Sequence, residues 1–173
     1  MKFLQLCLLG SMAVFSAQTF AQQHTVSLGY AQSEIEDNFD INGINVQYRY
    51  ETASPVSVLA SMSYQTGDEK FSYADESIKT DVKHFSLLAG PAYRFNALFS
   101  AYALAGFAHT KAESTYKDNF YSESIDLKET NFAYGAGVIV TPTPQLSLNV
   151  GYEGTEVDSA KFNGFNVGVG YRF

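Results

Sequence analysis

The chain has 173 residues, a formal net charge of −7, 17% charged and 46% hydrophobic residues, and a single cysteine. That length suits one ordinary domain rather than two, and the lone Cys7 excludes an intrachain disulfide framework. The acidic balance speaks against a nucleic-acid partner, and beyond the N-terminal segment no apolar run approaches the roughly 20 residues of a spanning helix.

Residues 1–21 read as an export signal. Lys2 precedes an apolar run over 3–15, and Thr19-Phe20-Ala21 places small residues where a signal peptidase reads them, so cleavage between Ala21 and Gln22 is expected. The run is too short to span a bilayer as a helix. Cys7 leaves with it, and losing Lys2 takes the mature chain, 22–173, to a charge of −8.

From residue 25 onward hydrophobicity alternates with a period of two, the pattern of strands with two unlike faces. Segment 25–33 sets Val26, Leu28 and Tyr30 against Ser27, Gly29 and Ala31; segment 41–51 sets Ile44, Val46, Tyr48 and Tyr50 against Asn45, Gln47 and Arg49. Segment 56–67 opposes Val58, Met62 and Tyr64 to Ser57, Ser61, Ser63 and Gln65, and segment 81–95 opposes Phe85, Leu87, Tyr93 and Phe95 to His84, Ser86, Gly90 and Arg94. Segment 99–112 has no readable facing, because Ala and Gly occupy both parities. Segments 129–141, 145–155 and 163–173 resume the pattern, the last with Phe165, Val167, Val169, Tyr171 and Phe173 opposite Gly164, Asn166, Gly168, Gly170 and Arg172. With no spanning helix available, a membrane location requires these strands to close into a barrel, since lipid offers nothing to pair with an open edge. The fold class expected is all-β, an eight-stranded antiparallel transmembrane up-and-down β-barrel.

The connections alternate in length. Short breaks fall at 52–55, 96–98 and 142–144, and long loops at 34–40, 68–80, 113–128 and 156–161. Short turns inside and long loops outside are the habit of outer-membrane barrels. The long loops and the strand ends beside them hold every acidic residue except Glu51 and Glu153, so an acidic outer surface is expected. Arg49, Arg94 and Arg172 fall on inward positions near the inner ends of strands, where an interior charge network with Glu153 would neutralise them. Aromatic residues gather near both ends of the segments, as two interfacial girdles would. An ordinary soluble barrel with its apolar face inward fits the signal segment, the small-polar second face and the terminal Phe173 less well.

Five stretches, Gly29-Tyr30-Ala31-Gln32-Ser33, Val46-Gln47-Tyr48-Arg49-Tyr50-Glu51, Ala89-Gly90-Pro91-Ala92-Tyr93-Arg94, Tyr134-Gly135-Ala136-Gly137 and Gly168-Val169-Gly170-Tyr171-Arg172-Phe173, occur in an order that resembles the OmpX, Ail and Lom family of small outer-membrane proteins. The resemblance implies an eight-stranded barrel in the bacterial outer membrane, a monomer without a cofactor, in contact with outer-membrane lipid and lipopolysaccharide. It implies that the barrel-assembly machinery reads the terminal strand, with Tyr171 and Phe173 as the signal. It also implies strands continuing past the membrane as a protruding sheet, for which Phe71-Ser72-Tyr73 and Asn119-Phe120-Tyr121 are the candidates. Its roles would be adhesion to host surfaces, resistance to complement proteins, or envelope integrity.

Eight strands enclose only enough room for their own side chains, so no open pore is expected. Acidic loops would repel heparin-like glycans and anionic lipid groups unless divalent cations bridge them. The enzymatic alternative is an acyl hydrolase of lipid A built on His84 and Ser86, a His-x-Ser spacing similar to that of outer-membrane deacylases. Both residues take inward parity, and no carboxylate is evident to orient His84. Lipid A palmitoyltransferases carry an amphipathic helix before the barrel, and residues 22–24 are too few for one. His24, His84 and His109 lack metal-ligand spacing, Gly135-Ala136-Gly137 and the glycines of 164–170 precede no helix as a nucleotide loop would, and the loop 34–40 lacks the ligand order of a calcium loop. Neither an enzyme nor a metal centre is expected.

Overall fold

The computed structural model describes residues 23–35, 39–73, 76–118, 121–157 and 160–173, with backbone only at 35, 39, 69–73, 76–80, 113–118, 121–127, 156–157 and 160–161. The export signal with its cleavage point at Ala21 and Gln22, and the tips of the four long connections, lie outside the described residues. Eight strands follow in chain order: β1 (Gln23–Ile35), β2 (Phe39–Glu51), β3 (Val56–Tyr73), β4 (Glu76–Arg94), β5 (Phe99–Asp118), β6 (Tyr121–Val140), β7 (Leu146–Val157) and β8 (Ala160–Arg172). Each pairs antiparallel with its sequence neighbours, and β1 pairs with β8 from Thr25↔Arg172 to Ile35↔Phe162, which closes the barrel. His24 and Phe173 exchange two backbone hydrogen bonds, of 2.8 and 2.9 Å, at the seam.

The short breaks are turns because their side chains take over the backbone's hydrogen bonding. Asn96 Oδ1 accepts from both Leu98 N and Phe99 N at 2.8 Å, Ser54 Oγ accepts from Val56 N at 3.2 Å, and Thr143 Oγ1 accepts from Leu146 N at 3.1 Å. Pro91 has no N–H to give, and the β4–β5 ladder skips there, running Ala89↔Ala105 and resuming at Ala92↔Tyr102.

The barrel is inside-out relative to a soluble protein. Leu28 is 63% exposed and Val169 57%, while Ser27, Asn45, Gln47, Ser61, Ser63, Asn149 and Asn166 are buried within. Such a continuous apolar exterior is stable only against lipid. The alternation read in the other seven segments holds throughout. In β5, pairing supplies what the sequence did not: Leu87↔Phe107 and Phe107↔Phe132 put Phe107 among outward residues, so Tyr102, Leu104, Ala108 and Thr110 face inward.

The loop bounds 68–80 and 113–128 need correction, and the protruding sheet implied by the resemblance is present: 68–73, 76–80, 113–118 and 121–128 continue the ladders, which run to Tyr73↔Glu76 and Asp118↔Tyr121, with Phe71-Ser72-Tyr73 and Tyr121 on those strands and Asn119-Phe120 outside the described residues. The hydrogen-bonding register propagates where the apolar alternation that marks a membrane strand has ended. The interior also departs from uniformly small and polar. Leu59, Leu88, Ala92, Tyr102, Leu104, Ala108, Ala133 and Ile139 form a buried apolar cluster inside it, against β3 to β6. Tyr102 lies over its neighbours on β6 and β7, Gly137 and Gly151, where a Cβ at either position would collide with its hydroxyl.

Placing an arginine at an outward mid-belt position tests the orientation. Val167→Arg should lower stability by about 2–4 kcal/mol in urea titrations of the barrel folded into phospholipid vesicles, whereas in a soluble barrel an exposed Arg there would be nearly neutral.

Candidate functional site

At the end of the barrel where Gln23 and Phe173 lie, three guanidinium groups converge on one carboxylate. Glu51, at the end of β2, lies 3.3 Å from Arg49 Nη2, 3.4 Å from Arg94 Nη1 and 3.2 Å from Arg172 Nε. Arg49 Nε donates to Ser57 Oγ at 2.9 Å and its Nη2 to Ser100 Oγ at 3.2 Å, while Arg94 Nη2 donates to the Ser54 carbonyl at 3.4 Å. Inward parity at i and i+2 aims Arg49 and Glu51 into the same end of the lumen. The three arginines are thus brought together as the sequence suggests, but around Glu51 rather than Glu153. Glu51 shares the parity of Arg49, whereas Glu153 lies at another depth of the lumen, which register between strands sets and a single segment does not show.

Glu153 sits toward the other end, where its β8 partner is Gly164, which itself pairs with Ser33. It accepts from Ser63 Oγ at 3.2 Å and faces His84 Nε2 at 3.8 Å. His84 Nδ1 is 2.9 Å from Thr110 Oγ1, and its ring stacks on Phe162 with centroids 5.5 Å apart. The structure therefore provides the carboxylate beside His84 that the sequence did not reveal. Ser86 does not join it: its Oγ is fully buried with no hydrogen-bond partner among the described residues. A nucleophile needs its base within hydrogen-bond reach and a path for substrate. Here His84 and Ser86 are enclosed by the barrel wall while Phe85 and Leu87 take the lipid side.

Between the two charged levels, amides and hydroxyls bond across the lumen. Asn45 Nδ2 donates to Ser61 Oγ and Ser63 Oγ at 2.9 Å each, and Gln47 Nε2 donates to Tyr102 Oη and Asn166 Oδ1 at 3.3 Å each. His24 and His109 lie apart from this interior: His24 meets Tyr48 Oη at 2.7 Å and stacks on Phe173, and His109 meets Thr130 Oγ1 at 2.8 Å on the outer face. Among the described residues no group of three His, Cys, Asp or Glu could hold a metal. Tyr171 and Phe173 stack on each other on the outer face, both more than 60% exposed.

The far end is asymmetric. β3 to β6 are 18 to 20 residues long, against 12 or 13 for β1, β2, β7 and β8. The β2–β3 ladder stops at Asn42↔Thr66 and β6–β7 at Ala133↔Thr155, while β3–β4, β4–β5 and β5–β6 continue. Above the closed barrel stands a four-stranded sheet whose outer edges, on β3 and β6, pair with no further strand among the described residues. Such edges present rows of unpaired N–H and C=O groups to any extended chain.

Residues 7–173 match a family model described as the outer membrane protein beta-barrel domain. The chain is 47% identical over 163 residues to the virulence membrane protein PagC of Salmonella typhimurium, covering 88% of each, and 33% identical over 168 residues to outer membrane protein X of Escherichia coli K12, covering 95% of each. Among solved structures, that of Ail, the attachment invasion locus protein of Yersinia pestis, in complex with the heparin analogue sucrose octasulfate, superposes with a TM-score of 0.77 at 32% identity, covering 89% of this chain and all of that one.

Replacing the shared carboxylate isolates its contribution. Glu51→Gln leaves three guanidinium groups without a counter-charge and should cost about 3–5 kcal/mol in urea unfolding. Glu153→Gln, which keeps its Ser63 partner and faces a single imidazole, should cost distinctly less in the same titration.

Proposed function

Because the chain belongs to the OmpX, Ail and Lom family of bacterial outer-membrane β-barrel proteins, we propose that it acts without catalysis, as a monomeric, plugged barrel that presents a sheet to host surfaces or complement proteins. The observation that carries the reading is the continuation of β3 to β6 as an open sheet beyond the last pairings of β2 and β7. In this reading the termini and short turns lie on the periplasmic side and the long strands project outward. An extended segment of a partner pairs with a free edge, and the side chains of the tips choose which partner. The names of relatives, a virulence membrane protein and an attachment invasion locus protein, support a surface role. The terminal strand with Tyr171 and Phe173 is the part offered to the assembly machinery, and outer-membrane lipid and lipopolysaccharide surround the belt.

The side chains of Asn45, Gln47, Ser61, Ser63, Tyr102 and Asn166, bonded to one another inside the barrel, support a barrel without a general diffusion path. The enclosure of His84 and Ser86 supports the absence of lipid A hydrolysis, which predicts an unchanged acyl count on lipid A from cells with and without the protein. The Ail structure carries a sulfated ligand. In this chain every acidic residue but Glu51 and Glu153 falls in or beside the four long connections of the sequence, outnumbering the lysines there, so repulsion of a polysulfated chain is expected.

Deleting 69–80 and 113–126, the two hairpin extensions, should abolish attachment to host cells or serum survival while leaving a barrel that migrates as folded. If only detergent sensitivity changes, the protein is an envelope component instead. Purified barrel should show no heparin retention at physiological ionic strength, and retention that disappears on replacing the lysines would reverse the charge argument.

A further inference from the structure

The charges at the Glu51 end of the lumen do not balance. The guanidinium groups of Arg49, Arg94 and Arg172 meet the single carboxylate of Glu51, three against one. Among the described residues no second acid reaches this level: Glu153 lies toward the other end, opposite Gly164, and the remaining acidic residues fall in or beside the four long connections. Like charges gathered in a half-enclosed space attract an anion from outside.

The excess falls on Arg172. Arg49 donates to Ser57 and Ser100, and Arg94 to Glu51 and to the Ser54 carbonyl. Among the described residues no hydrogen bond holds the Arg172 side chain: its Nε stands 3.2 Å from Glu51 Oε2 as an ion pair, out of hydrogen-bond alignment. Its planar fork of donors is therefore uncommitted.

Arg172 also completes a pocket of about 320 Å³ between the β4–β5 and β6–β7 turns, with Leu98, Thr141, Pro142, Thr143 and Pro144 among its walls. Backbone bonds fix those walls in advance. Thr141 N donates to Leu98 O at 2.8 Å, tying one turn to the other, and Arg172 N donates to Gln145 O at 2.8 Å, holding the end of β8 beside them. Thr143 Oγ1 accepts from Leu146 N, which leaves its O–H to donate elsewhere. Phe95 and Phe99, both exposed, flank the first turn on the aromatic girdle, so the pocket lies past the apolar belt on the water side.

The walls select the anion. A carboxylate takes a guanidinium fork through two parallel N–H···O bonds, and the leucine and prolines beside it suit a small apolar residue. A phosphate dianion carries more acceptor oxygens than one fork and two threonine hydroxyls serve. We propose that this pocket binds the terminal carboxylate of a short peptide, Arg172 gripping the carboxylate while Leu98, Pro142 and Pro144 cover the residue that bears it. The pocket belongs to the folded barrel; only a periplasmic source for its ligand rests on the placement of this end proposed above.

The experiment titrates the mature barrel, folded in detergent micelles, with acetyl-Ala-Ala bearing a free carboxylate, in L and D forms, with the same peptides amidated, and with inorganic phosphate. NMR follows the backbone amides of Leu98, Thr141 and Arg172. The free acids should shift these resonances and the amidated peptides should not. Preference for the D form assigns the ligand to cell-wall peptides, preference for the L form to protein chain ends, and equal binding supports the shared carboxylate chemistry. Arg172→Gln should weaken binding by about tenfold or more, and Arg172→Lys, which keeps the charge without the fork, by less. Because Arg172 also faces Glu51, a second variant leaves that cluster alone: Ala97→Trp, on the exposed turn at the pocket's edge, should block the peptide in a barrel that migrates as folded. Equal shifts from acid and amide, undiminished binding by either Arg172→Gln or Ala97→Trp, or phosphate binding as tightly as the peptide overturns the proposal. Placement is read separately with Ala97→Cys, which a membrane-impermeant maleimide should label in lysed but not intact cells. Labelling of intact cells reverses the placement and removes the periplasmic source, whatever the titration shows.

Discussion

A backbone inside a bilayer has no water to hydrogen-bond, and this constraint governs the molecule. Every N–H and C=O at membrane depth must find a partner in the chain, so the sheet has to close. The β1–β8 pairing does so over its full length, and the two backbone bonds between His24 and Phe173 seal its end. Closure fixes the rest. Side chains alternate across a wall with lipid on one side and an enclosed lumen on the other, which is why leucine, valine and aromatics take the outside while serine, asparagine and glycine take the inside.

Polar groups enclosed by the wall are stabilised by pairing with one another. The pairings fall in levels. Glu51 gathers three arginines at one end, amides and hydroxyls of Asn45, Gln47, Ser61, Ser63 and Asn166 bond across the middle, and Glu153 and His84 face each other near the far end. The apolar cluster around Leu59, Leu88 and Leu104 lies against β3 to β6. Once the interior is occupied in this way, the surface left for recognition is the rim and what rises above it.

Above the membrane the constraint is lifted, and the wall no longer needs to be closed. There β3 to β6 continue while their outer neighbours stop. The same cross-strand register that carries those strands upward also collects residues far apart in the chain into rows. On β4 to β6 it sets Lys83, Lys111 and Lys128 opposite one another in one such row.

How much of this was legible in the chain follows from the range of each interaction. A period of two is local, so Val26, Leu28 and Tyr30, or Val167, Val169 and Tyr171, could be assigned to the lipid side from the sequence alone, and with them the strand count and the inward arginines. β5 resisted because alanine and glycine carry no preference for either face, and only the pairing of Phe107 with Leu87 and Phe132 decides it. The choice of Glu51 over Glu153, the meeting of His84 with Glu153, and the line of Lys83, Lys111 and Lys128 depend on which residue stands opposite which around the barrel. The sequence alone determined the two faces of each strand, because side-chain alternation is a property of the strand by itself. The tertiary structure decided depth, partners and where the sheet opens, because register is a relation between strands that no single segment contains.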